Sequence, residues 1–210
     1  MLSTKSLKKD IMKVCDLMYK KGYICATDGN VSIRFQKHEM LITASGTHKG
    51  LLEEDDIILT DLEGNVISGQ KKPSSEIMMH LEVYKTCEDV NAVIHAHPPI
   101  CTAMSFSQQA IPTNYMPEAY LTFGGEIPIA RYATPSTREV PEAISNFLPE
   151  HKAMVLAHHG SLTMGSNIWE AFYRLEKMEN VAYVILLAKQ FGKPEPLSEE
   201  KLKLLEQLCH

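Results

Sequence analysis

The feature that most constrains this chain is a pair of histidines at the end of an apolar run, Val93-Ile94-His95-Ala96-His97-Pro98. A β-branched run that stops at proline reads as a strand leaving its sheet. Side chains alternate between faces along a strand, so His95 and His97 project together while Ala96 points the other way. A fold for this chain must therefore bring two imidazoles from a core strand to one point.

A second apolar run, Met154-Val155-Leu156-Ala157, ends in His158-His159-Gly160. Strand ends that deliver histidines to a common edge make a metal site, and three imidazoles leave positions open for water or substrate. Only one of His158 and His159 can share a direction with the first pair, and alternation does not say which. The plainer readings are polar residues where a strand leaves the core and, for His158, a surface or supporting role.

Around these runs the periodicity describes a single layered α/β domain, residues 1–210. Leu7, Ile11, Val14, Cys15 and Met18 recur at helical spacing and stop at Gly22. "VSIRF", "MLIT" and "DIILTDLEGNVISG" alternate like strands, with a turn at Glu63-Gly64-Asn65. A helix is expected from Ser74 or Ser75 through "SEIMMHLEVYKT", then the strand "NAVIHA" and a short helix in "PPICTAMSFS". Strands at "EIPIARY" and "AMVLAHH" flank a helix at "REVPEAISNFL". A long helix from Asn167 to Gly192 and a last one capped by Ser198 complete the chain. Strands do not alternate regularly with helices, which predicts a mixed, mainly antiparallel sheet.

Charge and cysteine usage narrow the partners. A formal charge of −5 with 22% charged residues gives no polyanion-binding surface, so no nucleic-acid partner is expected. Cys15, Cys25, Cys87, Cys101 and Cys209 are odd in number and contain no CxxC pair, as expected of reduced thiols in the cytoplasm. The N-terminal stretch is too charged for a signal peptide, and no apolar run reaches the ~20 residues of a membrane span.

Three loops suit an anion. "KPSSE" offers the hydroxyls of Ser74 and Ser75 near free amides at a helix start. "ATDGNVSIR" and "TASGTHKG" each set a glycine beside small polar residues next to a strand. Glu76 stands where a helix dipole stabilises a carboxylate, and His80, one turn on, could pair with it. Each signal alone is also what an ordinary turn or helix start carries.

Taken in order, "GNVSIR", "TASG", "KPSSE", "VIHAHP", "YATPSTREV" and "LAHHG" resemble the class II aldolase/adducin family over nearly the whole chain, most closely its L-fuculose-1-phosphate aldolase type. The resemblance implies a three-layer α/β/α fold and a homotetramer with sites between subunits. It implies Zn2+, one per subunit, on His95, His97 and His159, with other divalent ions able to replace it. Glu76 would coordinate or abut the metal at rest and act as general base. Asn30, Ser45, Gly46, Ser74 and Ser75 match the family's phosphate-binding positions, Ser45 keeping the hydroxyl of the usual threonine, and Thr27 matches a substrate contact. Tyr115 would come from a neighbouring subunit to handle the proton on the aldehyde oxygen.

The implied reaction is reversible cleavage of a ketose 1-phosphate, L-fuculose-1-phosphate-like or a deoxy-pentulose 1-phosphate, to dihydroxyacetone phosphate and a short aldehyde. Pro135 departs from the fuculose type, which has an aromatic residue there. Glu118 replaces an uncharged position, and the chain ends at Leu208-Cys209-His210, before that type's tyrosine-bearing tail. Related 4-epimerases carry aspartate at the Glu76 position, and related dehydratases carry glutamate at the Tyr115 position. A decarboxylase of the same family is a further rival, as is the metal-free adducin-like binding module, which all three histidines and Glu76 oppose.

Overall fold

The strand that carries the histidine pair lies in the middle of the sheet. In the computed structural model, which describes residues 3–208, the elements are α1 (Thr4–Lys20), β1 (Asn30–Phe35), β2 (Glu39–Thr43), β3 (Ile57–Asp61), β4 (Val66–Ser68), α2 (Ile77–Thr86) and β5 (Ala92–Ala96). There follow α3 (Pro99–Phe106), β6 (Ile111–Pro112), α4 (Pro117–Phe123), β7 (Glu126–Ile127), β8 (Ile129–Ala130), α5 (Glu139–Ile144), β9 (Ala153–Leu156), β10 (Gly160–Gly165), α6 (Ile168–Phe191) and α7 (Glu199–Leu208). The main sheet has eight strands in the order β4-β3-β2-β1-β5-β10-β9-β8, and β6 and β7 form a separate ribbon. Every pairing is antiparallel except β8 with β9.

Alternation along each strand sorts its residues between two helical layers. Met40, Ile42, Val93, Met154, Leu162 and Met164 pack on one face against Met79 and Val83 of α2 and Val140 and Ile144 of α5. Leu41, Ile33, Ile94 and Ala96 face α1 and the first half of α6 through Ile11, Val14, Met18, Phe172 and Leu175. Farther along that side, Val155 packs with Cys101 of α3, Ala119 of α4 and Met178, Val181 and Ile185 of α6. The result is the expected α/β/α sandwich. Each fully buried Ile or Met, such as Ile94 or Met40, contributes about 1.5–3 kcal/mol relative to exposure.

The local signals mostly act as read. Ser3 caps α1 by accepting from the Ser6 amide at 3.2 Å, and the helix buries the five residues of its apolar stripe. Asn167 caps α6, accepting from the Glu170 amide at 3.0 Å. Cys15, Cys25, Cys87 and Cys101 are free thiols, while Cys209 lies outside the described residues. No helix among the described residues is long and apolar enough to cross a membrane.

Three differences have physical causes. Helix α2 begins at Ile77 rather than Ser74 or Ser75, because Lys72 to Ser74 are held extended against the end of β2. "EIPIARY" is divided at Pro128, which has no N–H for a ladder, so its two halves join different sheets. Strand β10, "GSLTMG", is absent from the sequence reading, yet it lies between β5 and β9 in the core, bounded by glycines where backbone packs too closely for a Cβ. Helix α4 and strand β6 are also absent from the sequence reading.

Candidate metal and phosphate site

His95 occupies β5 opposite Asn30 of β1 and Leu162 of β10, and it faces the α2 side with Val93. His97 lies just past the strand, where its amide donates to Tyr23 O at 2.9 Å. The third histidine arrives on the β9–β10 hairpin, in which Leu156 pairs with Gly160 and the His159 amide donates to Leu156 O at 3.1 Å. His158 takes a left-handed backbone, φ 56°, and remains exposed. That turn sends His159 inward. Gly160 is required by contact: a Cβ there would lie 2.5 Å from Ala96 O and 2.6 Å from His97 Cδ2.

His95, His97 and His159 thus offer ring nitrogens that all lie within 4.8 Å of one another. The His95 Nδ1–H donates to Ser161 O at 2.9 Å, and since a carbonyl only accepts, the lone pair is on Nε2, which faces the cluster. Burial and the two neighbouring imidazoles hold the His95 pKa well below its ordinary value, and burial lowers that of His159. Neutral imidazoles are what a metal ion requires.

Glu76 completes the cluster. Its Oε2 lies 3.3 Å from His95 Nε2 and its Oε1 3.3 Å from His159 Nε2, while His95 Nε2 and His97 Nε2 are 3.0 Å apart. Two donors bound at about 2.0–2.1 Å to one tetrahedral zinc are about 3.3 Å apart. Glu76 Oε1 is also buried without a hydrogen bond. The donor set, its spacing and this orphaned oxygen fit a divalent ion.

Behind Glu76 runs a buried chain whose direction is forced. A carboxylate only accepts, so Asn30 Nδ2 donates to Glu76 Oε2 at 2.9 Å and Asn30 Oδ1 faces His80. The His80 Nε2–H donates to that oxygen at 2.5 Å, its Nδ1 accepts from the Ser32 hydroxyl at 2.6 Å, and Ser32 Oγ accepts from Tyr84 at 2.7 Å. Burial pushes the His80 pKa down to about 3, which keeps the ring neutral. His80 therefore supports Glu76 through Asn30 instead of pairing with it directly.

The other wall is built by loops. The Ser45 amide donates to Lys72 O and the Ser74 amide to Thr43 O, both at 3.0 Å, so the "TASG" and "KPSS" loops lie side by side. Gly46 has φ +70°, a conformation glycine adopts at least cost. The Ser74 side chain is buried and accepts from the Glu76 amide at 3.3 Å, while Ser45, Ser75 and Thr27 are exposed. Gly29, φ +71°, lets the third loop rest on β5, since a Cβ there would meet His95 O at 2.8 Å. Thr27, Asn30, Ser45, Gly46, Ser74, Ser75, Glu76 and His97 all line one cavity of about 310 Å³.

Tyr115 does not join them: it precedes α4 and packs in the cluster of α3, α4 and α6. Glu118 lines a separate groove with Lys21 and Glu176, and Pro135 lies in an exposed loop. Three larger concavities, about 400, 620 and 960 Å³, include none of the three clustered histidines, so size does not locate the site here. Sequence reasoning passes over Ser32, Lys49 and Tyr84; the one available signal was the alternation that puts Ser32 on the face of Asn30.

A family profile described as "Class II Aldolase and Adducin N-terminal domain" matches residues 9–186. An L-fuculose phosphate aldolase of Methanococcus vannielii is 35% identical over 185 residues, 88% of this chain and 98% of its own. The L-fuculose phosphate aldolase of Escherichia coli K12 is 36% identical over 201 residues, 95% and 92% of the two chains. A solved L-fuculose 1-phosphate aldolase superposes with a TM-score of 0.89 at 33% identity, covering 100% of this chain and 99% of its own.

Proposed function

Because the chain belongs to the class II aldolase and adducin family, we propose that it is a metal-dependent aldolase acting on a ketose 1-phosphate. The products are dihydroxyacetone phosphate and a short, rather apolar aldehyde such as lactaldehyde or acetaldehyde. One observation carries this reading: Glu76 and His97, which stand against the other two clustered histidines, also line a cavity walled by hydroxyls and amides suited to phosphate. The identity of the relatives supports it.

In the condensation direction, Ser45, Gly46, Ser74 and Ser75 hold the phosphate, with Asn30 and Thr27 on the adjoining wall. Glu76 Oε1 takes a proton from the hydroxymethyl carbon, and the electron pair of that C–H bond passes into an enolate. Asn30 keeps Oε2 engaged, so the base presents one defined oxygen. The enolate carbon attacks the aldehyde, whose oxygen receives its proton from Tyr115 of a neighbouring subunit. A divalent ion on the three histidines, zinc in this reading, supplies Lewis-acid stabilisation of the developing oxygen charge when bound. The enzyme is a cytoplasmic homotetramer in this proposal.

Exchange of one proton tests it without knowledge of the aldehyde. Metal-loaded protein incubated with dihydroxyacetone phosphate in heavy water should give one stereospecific deuterium by NMR, and Glu76→Gln should lose about 10²–10⁴ of the rate. Absence of exchange in the metal-loaded protein would overturn the aldolase reading in favour of a dehydratase, decarboxylase or 4-epimerase.

A further inference from the structure

Lys49 is 2% exposed, an unusual position for a lysine that has no carboxylate partner among the described residues. Its amide donates to Ala26 O at 3.1 Å, and its ammonium donates to Thr27 O at 3.0 Å and Thr47 O at 2.9 Å. These carbonyls belong to the loops that wall the 310 Å³ cavity, and Lys49 itself lines it. An ammonium has three N–H donors, of which the carbonyls engage two. Nearby carboxylates are directed elsewhere: Asp28 Oδ2 lies 3.8 Å from His97 Nδ1, and Asp56 pairs with Lys71 at 2.5 Å.

Holding a cation out of water without a counter-ion is costly. Burial draws the Lys49 pKa below the ordinary lysine value. Among the lining residues Lys49 is the single Lys or Arg, and the hydroxyls of Ser45, Ser74 and Ser75 can orient an anion but cannot neutralise it. Asp28 and Glu76 on the same walls would repel a dianion.

We propose that Lys49 is a substrate-binding residue that supplies the positive charge for the phosphate and so makes the cavity select phosphorylated over unphosphorylated ketoses. This rests on the sugar-phosphate reading above. An incoming phosphate provides the counter-charge that the fold withholds from Lys49, and the contact is made alike in ground and transition states. Its loss therefore raises KM far more than it lowers kcat.

Inorganic phosphate is the probe, with metal-loaded wild type, Lys49→Gln and Lys49→Met. Glutamine keeps a donor for the Thr27 or Thr47 carbonyl and removes the charge, so a lysine that only ties the loops together is largely replaced by it. Phosphate should raise the melting temperature of the wild type. Both variants should bind it about tenfold more weakly, with unchanged metal content and a comparable rise in KM for dihydroxyacetone phosphate in the exchange assay. An equal phosphate response in wild type and Lys49→Gln overturns the role of Lys49 and leaves the phosphate reading standing. No response in the wild type overturns both. Should the variants fail to fold, the labelled Lys49 side-chain resonance of the wild type serves: a shift on adding phosphate supports the proposal, and a silent resonance overturns it.

Discussion

At the scale of single residues, adjacent His158 and His159 have opposite fates because one backbone torsion separates them. His159→Ala should cost more metal affinity than the ~10–100-fold typical of lost supporting groups, whereas His158→Ala should leave about one ion per chain by atomic absorption. Equal losses would show that the hairpin is closed differently. His80 makes a pH prediction. Its folded pKa, about 3, lies below the ~6.5 of an unfolded histidine, so between these values the unfolded chain binds a proton that the native chain refuses. The stability due to neutral His80 is complete above ~6.5 and falls by about 1.4 kcal/mol per pH unit below it. Urea melts from pH 6.0 to 4.5 should show His80→Gln with a slope shallower by about one proton; parallel slopes would refute a buried neutral ring. The histidine cluster was legible in part: strand alternation aims His95 and His97 together, while the choice of His159 over His158 rested on the family resemblance. The chain through His80, Ser32 and Tyr84 was not, since sheet register and helix docking, which no local pattern encodes, bring these residues together.

At the scale of elements, the site depends on how closely β10 approaches β5. Gly160→Ala forces a methyl into Ala96 O and His97 Cδ2, and backbone on one side cannot yield as a flexible side chain would. We expect a loss of about 1–3 kcal/mol, a fall in melting temperature of roughly 2–4 °C per kcal/mol, and weaker metal binding through the displaced His97. Unchanged melting and metal content would mean that the hairpin rises from the sheet at little cost. The same glycine shows why β10 escaped the sequence reading. Gly160 and Gly165 bound the segment, and both positions admit no Cβ because neighbouring backbone is close, so composition there reports crowding rather than a loop. Helices α1 and α6, by contrast, were legible end to end, since periodicity and a terminating glycine agreed. Helix α2 was legible in type but not in start, because long-range pairing of Pro73 with Ala44 overrides the local tendency of Ser74 to cap.

At the scale of the whole molecule, the proposed reaction raises the question of where the proton donor for the aldehyde oxygen resides. The chain's own Tyr115 packs against the cluster of α3, α4 and α6 and is absent from the walls of the cavity that holds Glu76. The chain also leaves Val184, Leu186 and Phe191 of α6 exposed, apolar area of the kind that assemblies cover. If Tyr115 acts as proposed, a complete site requires two copies, one contributing Glu76 and the histidines and the other Tyr115. The two inactive proteins Glu76→Gln and Tyr115→Phe should then complement each other. In a closed ring with one site per interface, random 1:1 mixing leaves about a quarter of the interfaces with both residues intact. Subunit exchange should therefore restore up to roughly a quarter of wild-type exchange or cleavage, in an assembly that sediments as a tetramer, while either variant alone stays inactive. If mixing restores nothing although isotopic labels show that subunits have exchanged, or if the active species sediments as a monomer, Glu76 and Tyr115 act within one chain. The loop before α4 would then have to carry Tyr115 from its packed position to the metal cluster.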